Sequence, residues 1–165
     1  MKLKESYRKY ILLGVIGFII IGLIVAKIMA KNQDEQFIRN DLLYEQVQKL
    51  YNEENYEEAV VYIEELLKTQ PNSEVVNYMG GLISAINQDY NKAAILMQKT
   101  LDINPHKVDD AIFMLQLGEI FYQAKRYDDA RIVLTHCQEK GWAPEEYPNY
   151  QDKVLELLNS IENQE

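Results

Sequence analysis

The sequence is poor in the residues that chemistry uses. It has one cysteine, Cys137, and two histidines, His106 and His136. His136 and Cys137 are chain neighbours, so on a helix their side chains point about 100° apart and make no metal site by themselves. Cys137 sits at a helical spacing that assigns it to packing, and it lies too far downstream to carry a lipid anchor for an N-terminal segment. His106 follows Pro105 and reads as a solvated loop residue. No glycine-rich phosphate loop, nucleophile elbow or zinc-ligand spacing occurs. Carboxylate pairs are so frequent in this acidic chain that none stands out as a catalytic signal. The expectation is therefore a protein that is not an enzyme and binds no cofactor or metal.

Basic charge is scarce too. The chain carries 17 Lys/Arg against 26 Asp/Glu, a net charge of -9. Six of the basic residues fall at or before Lys31, where Glu5 is the only acid. From Asn32 onward eleven basic residues face twenty-five acids, a balance of -14. Nucleic acid requires a basic footprint and is excluded as a partner. Anionic lipid surfaces are repelled by such a domain, and a basic protein partner is favoured. Clusters such as Glu53, Glu54, Glu57 and Glu58 also serve simply to keep helix faces in water.

What the chain does have begins with an apolar run. Tyr10 to Ala26 contains no charge, and Ile28, Met29 and Ala30 extend it past Lys27. At ~1.5 Å per residue the segment 10–30 spans about 31 Å, matching a hydrocarbon core of ~30 Å. It reads as a single transmembrane helix, with Lys27 able to reach the headgroups. A cleaved signal peptide fits less well, because the run is long and large Ile24 and Ile28 stand two positions before Ala26 and Ala30. Residues 1–9 form a basic flank with Lys2, Lys4, Arg8 and Lys9, which places the N-terminus in the cytoplasm and everything after the span outside it. Residues 31–39 contain neither Pro nor Gly and read as a stalk that continues the helix.

The rest of the chain is periodic. Tyr56, Ala59 and Pro71 recur 34 residues later as Tyr90, Ala93 and Pro105, and after a 37-residue step as Tyr127 and Ala130. A period in this range means stacked supersecondary units. Apolar residues fall at helical spacing in each copy: Ala59, Ile63, Leu66; Ala93, Met97, Leu101; Ala130, Leu134, Cys137. Each such helix follows another, and Asn55-Tyr56, Asp89-Tyr90 and Arg126-Tyr127 mark the turn between them. The tyrosine ring covers the crossing, and the small alanine lets the helices approach. Pro71 and Pro105 end the second helix. Gly80, Gly81 and Gly118 lie in first helices, where glycine lowers helix stability and so implies close contact.

On these residues the chain resembles tetratricopeptide repeat proteins. Leu117-Gly118 matches the Leu-Gly pair of the family's first helix, and Asn55-Tyr56-Glu57-Glu58-Ala59 and Arg126-Tyr127-Asp128-Asp129-Ala130 match its turn. Val47 stands where the small glycine is usual, and Trp142 where the third proline would be. The expected organisation is all-α: transmembrane helix 10–30, stalk 31–39, repeats at 40–73, 74–107 and 108–144, then a capping helix and tail at 145–165. In the cap Tyr150, Val154, Leu157, Leu158 and Ile161 make one apolar stripe, as the open end of a solenoid requires; a partner-binding helix is the alternative there. Trp142 and Tyr147 pack at its junction.

The resemblance implies protein binding on a concave groove lined by first helices. By register its residues are Asp41, Tyr44, Gln48, Tyr51, Val75, Tyr78, Leu82, Ile112, Leu115, Glu119 and Tyr122. Tyrosines and aliphatics suit an extended or helical segment of another protein. Leu82 and Leu115 can equally pack on neighbouring helices. Family members that grip chaperone C-terminal carboxylates use Lys, Arg and Asn, and Asp41, Tyr44 and Gln48 do not supply that set. The resulting expectation is a membrane-anchored adaptor at the cell envelope, in protein export or envelope complex assembly. Structural self-association and a cytoplasm-facing anchored receptor are the alternatives. Gly14, Gly17 and Gly22 make no Gly-x-x-x-Gly face, which weakens self-association through the membrane helix.

Overall fold

The computed structural model describes residues 5–164, so Lys2 and Lys4 of the expected basic flank lie outside the described residues. Among the described residues every element is helical: α1 (Glu5–Asn52), α2 (Tyr56–Thr69), α3 (Glu74–Ile86), α4 (Tyr90–Ile103), a 3-10 turn (Pro105–Asp109), α5 (Ala111–Gln123), α6 (Tyr127–Lys140) and α7 (Tyr150–Glu162). The chain divides into two units, residues 1–42 and 43–165.

In the first unit, the described residues are all helical, with no break across the expected stalk 31–39. Its apolar side chains stand exposed, Phe18 at 80% and Leu23 at 66% among them. Among the described residues α1 is the one helix long and apolar enough to cross a membrane, with mean hydropathy 2.8 in its most apolar stretch.

The second unit is a stack of helix pairs. Residues 43–52 of α1 precede α2, α3 precedes α4, α5 precedes α6, and α7 follows as a single helix. The turns inside the three pairs share one left-handed backbone position. Asn55 and Asp89 cap the second helix by accepting a hydrogen bond from the backbone N–H of Glu58 and Lys92, a standard way to satisfy an orphan donor. The residue before each cap position, Glu54, Gln88 and Lys125, is left-handed, with φ of 58°, 62° and 59°. Tyr56 and Tyr127 fold back over the crossing onto Tyr51 and Tyr122, with ring centroids 5.6 and 5.7 Å apart.

Small residues set how closely the helices approach. Ala59, Ala93 and Ala130 are fully buried at the crossings. A Cβ on Gly81 would lie 2.8 Å from Met97 Cγ, and one on Gly118 would lie 2.7 Å from Leu134 Cδ2. Val47 holds the equivalent place in the first pair and shares a buried cluster with Ile63. α2 and α4 end just before Pro71 and Pro105. α6 has no such proline; Gly141, at φ 62°, terminates it in the left-handed conformation instead, the usual glycine C-cap.

α7 buries Tyr150, Val154, Leu157 and Ile161, with Leu158 packed beside them, in one cluster with α5 and α6. The Tyr150 hydroxyl donates to the Ala111 carbonyl at 2.9 Å. Trp142 and Tyr147 both meet the Tyr150 ring edge-on, at 6.4 and 6.3 Å. Burial raises the pKa of the Tyr150 hydroxyl and of the neighbouring Cys137 thiol, so both act as neutral packing groups.

Candidate protein-docking groove

The groove forms where the first helices of successive pairs come together, and its centre is a gap in a row. Tyr51, Ala85 and Tyr122 hold the same place in the three copies, and the small Ala85 leaves open the space a tyrosine would fill. A pocket of about 130 Å³ results, lined by Tyr51, Leu82, Ala85, Ile86, Gln116, Glu119 and Ile120. Its walls are mostly aliphatic, with Gln116 and Glu119 as the polar groups.

Beside it, α3 and α5 are fastened together. The Tyr78 hydroxyl donates to Gln116 Oε1 at 2.8 Å, and its ring packs on Phe113 with centroids 5.8 Å apart. Burial raises the hydroxyls of Tyr44, Tyr51 and Tyr78 above the ordinary tyrosine value, so all three stay neutral and able to donate at any physiological pH.

The cations at this face are already engaged. Lys107 binds Asp110 at 2.8 Å and Glu74 at 3.8 Å and lies 5.5 Å from the Tyr78 ring centroid. The hydrogen bond to Asp110 is the main reason its ammonium is held above the ordinary lysine value. Lys153 of α7 lies between Glu119 at 3.6 Å and Glu156 at 3.4 Å. Burial works to lower its pKa, but those two carboxylates outweigh it and raise it.

Of the residues expected in the groove, Tyr51, Leu82 and Glu119 line the pocket together. Tyr44 and Tyr78 are half-buried, and Gln48 is exposed one turn before Tyr51 on the same helix. Ile112 is half-buried and Val75 is 48% exposed. Tyr122 is half-buried against Tyr127. Leu115 is buried in the core cluster of α5, α6 and α7. Asp41 is exposed in the first unit. Ala85, Ile86, Gln116 and Ile120 line the pocket without having been singled out from the sequence. Ala85 was open to inference, as the small member of a position that holds tyrosine in the other two copies.

Elsewhere, the ring of His136 contacts the Val108 carbonyl at 3.3 Å and Trp142 edge-on at 5.6 Å, tying the third pair to the loop before it. The groove offers contact area, neutral donors and one acidic corner, a set suited to holding a peptide.

A family model described as a tetratricopeptide repeat-like domain matches residues 4–148. No curated protein matches the sequence. Among solved structures, the Yersinia enterocolitica type III secretion chaperone SycD, crystallised with a peptide of the translocator YopD, is similar. It is 17% identical with a TM-score of 0.60, over 75% of this chain and 92% of that one. The TPR2B domain of yeast Sti1, in a complex with Hsp70, is 13% identical with a TM-score of 0.59, over 78% and 99%. MamA from Desulfovibrio magneticus is 17% identical with a TM-score of 0.57, over 75% and 74%. At these identities the likeness is one of fold.

Proposed function

The chain belongs to the tetratricopeptide repeat-like domain family, and from that premise we propose that it is a membrane-anchored adaptor that holds a segment of another protein in its groove. The observation that carries this reading is the pocket at Ala85, which is open, mostly apolar and walled by Tyr51. SycD and Sti1, whose folds are similar, are solved with a peptide of YopD and with Hsp70. Here the preferred ligand is an extended or helical segment with an apolar side chain for the pocket. An acidic chaperone tail is disfavoured, because Lys107 and Lys153 are already held by carboxylates and Glu119 stands in the pocket wall.

The apolar, exposed segment 10–30 supports insertion in a bilayer, and the basic residues before it support a cytoplasmic N-terminus with the repeats outside. The adaptor then works at the cell envelope, in protein export or in the assembly of envelope complexes. Crosslinking of the full-length protein in intact cells, with protease accessibility of the repeats scored in the same cells, tests both parts. Export or assembly proteins crosslinked to repeats that external protease reaches are the expected result. Cytosolic partners with repeats protected until lysis would overturn the orientation.

The groove itself is tested by Ala85→Tyr. This variant supplies the side chain that the sister copies carry and closes the pocket. Loss of the crosslinked partner with unchanged helical content is expected; full retention would exclude the pocket. Tyr78→Ala with Tyr122→Ala is expected to act in the same direction by removing contact area.

A further inference from the structure

The repeat itself records which side chain is missing from the pocket at Ala85. Tyr51, Ala85 and Tyr122 each stand one residue before the end of their helix, α1, α3 and α5. Each is also five residues before the tyrosine that opens the next helix, Tyr56, Tyr90 or Tyr127. The turns between share a left-handed residue, Glu54, Gln88 or Lys125, so the three places have one backbone frame. In the first and third copies the two tyrosines meet, at 5.6 Å and 72° and at 5.7 Å and 51°. In the middle copy Tyr90 is half-buried and, among the described residues, has no ring against it. The same frame holds a ring twice and leaves its seat open once.

Size points to the same occupant. The pocket measures about 130 Å³, and an apolar cavity of about 150 Å³ binds benzene. One six-membered ring fills it, leaving no room for the second ring of an indole.

The wall then selects among single rings. Leu82, Ile86 and Ile120 supply aliphatic contact, and Gln116 and Glu119 supply polar atoms. Gln116 Oε1 accepts from the Tyr78 hydroxyl, which leaves its amide nitrogen as a donor. Lys153 lies 3.6 Å from Glu119 Oε1, so the charge of Glu119 is balanced within the chain and calls for no further cation. A carboxylate nonetheless has about four acceptor sites and can take a neutral hydroxyl as well. A phenol both donates and accepts, so it can give its proton to Glu119 and accept from Gln116. Phenylalanine would bury those two groups without a partner, and leucine would bring no ring to Tyr90.

We propose that the pocket at Ala85 receives a tyrosine side chain of the partner segment, which supplies the ring that Tyr51 and Tyr122 supply in the copies on either side. This rests on the groove reading above and narrows it to one residue type.

The test uses the full-length protein in zwitterionic nanodiscs. A random display library of short peptides is selected on it, and the recovered peptides are remade with single substitutions. One indispensable tyrosine is expected. Phenylalanine in its place should weaken binding about tenfold, the worth of a hydrogen bond to a charged acceptor, and leucine or alanine should weaken it further. Ala85→Tyr, which puts the chain's own ring in the pocket, should weaken binding by at least the same factor with helical content unchanged. Glu119→Leu reads the same pocket without touching the row, and there the tyrosine and phenylalanine peptides should differ by about twofold or less. An indispensable leucine or phenylalanine, lost in Ala85→Tyr, would overturn the tyrosine and leave the groove standing as the docking site. A selection that recovers no peptide sensitive to Ala85→Tyr would overturn both readings. A tenfold preference for tyrosine that survives in Glu119→Leu would overturn the proposal by seating the hydroxyl elsewhere.

Discussion

Glu54, Gln88 and Lys125 each adopt a left-handed backbone conformation that an L side chain enters at a cost of about 1–2 kcal/mol. The chain accepts that cost three times at the same point of the repeat, because the turn must reverse direction within a few residues to start the second helix. Gln88→Gly removes the strain and is expected to raise stability by about 0.5–1 kcal/mol after glycine's own entropic penalty. The check is a higher urea midpoint with an unchanged slope. At the start of α5, Asp110 accepts from the Phe113 N–H at 3.0 Å and pairs with Lys107. Burial tends to raise its pKa, but the Lys107 and backbone hydrogen bonds outweigh it and hold the carboxyl below the ordinary aspartate value. Its stabilising contribution is thus present above the unfolded-state pKa and is lost as pH falls through the lower folded value. Asp110→Ala is expected to lose about 1 kcal/mol as a helix cap near neutral pH. That difference from the parent should shrink below about pH 4, as thermal melts at a series of pH values would reveal.

Between elements, the tolerance of the structure is set by a few small residues. Ala93 has no exposed surface where α3 meets α4, so Ala93→Leu is expected to overpack the crossing and lower stability by ~1–3 kcal/mol. An unchanged melting temperature would refute the crossing. Gly118→Ala puts a methyl group against Leu134, at 2.7 Å from Cδ2 and 2.8 Å from Cγ. Both are branched atoms of a buried side chain, so the helices must move apart, and a loss in the same range is expected from the same melt. Val47 is the informative exception. Its place in the first pair is equivalent to Gly81 and Gly118, yet it is fully buried, with Ile63 where the later copies have Met97 and Leu134. The residue at this position is fixed by the side chain across from it, which a motif read along one copy does not record.

For the molecule as a whole, α7 closes the stack and supplies part of its last core. Ending the chain at residue 149 removes Tyr150, Val154, Leu157 and Ile161, each buried to 3% exposure or less. At ~1.5–3 kcal/mol for each large apolar side chain buried, the remaining pairs are expected to unfold at a clearly lower temperature, with the loss concentrated in α5 and α6. Hydrogen exchange would locate it. The balance of -14 from Asn32 onward is screened by salt, so a basic ligand of the groove should dissociate more readily as ionic strength rises.

The sequence by itself determined the repeat. The 34-residue spacing of Tyr56, Ala59 and Pro71, the glycines of the first helices and the stripe of the cap are local signals, and each copy mostly meets its neighbours in the same way. That is why the all-helical stack, the close crossings and the packing of Trp142 and Tyr147 at the junction with the cap could be read in advance. The apolar run was equally legible from composition. The shape of the groove was not. Its pocket draws side chains from three helices and depends on Ala85 being small between two copies that carry tyrosine, while Leu115, in the same register as Tyr44 and Tyr78, turns into the core. Val61, Ile95 and Ile132 recur at one place of the period and stand exposed, but periodicity cannot say which side of a second helix its neighbours leave uncovered. Only the packing of α2, α4 and α6 against α3, α5 and α7 decides that, because exposure belongs to the space between helices and not to any one of them.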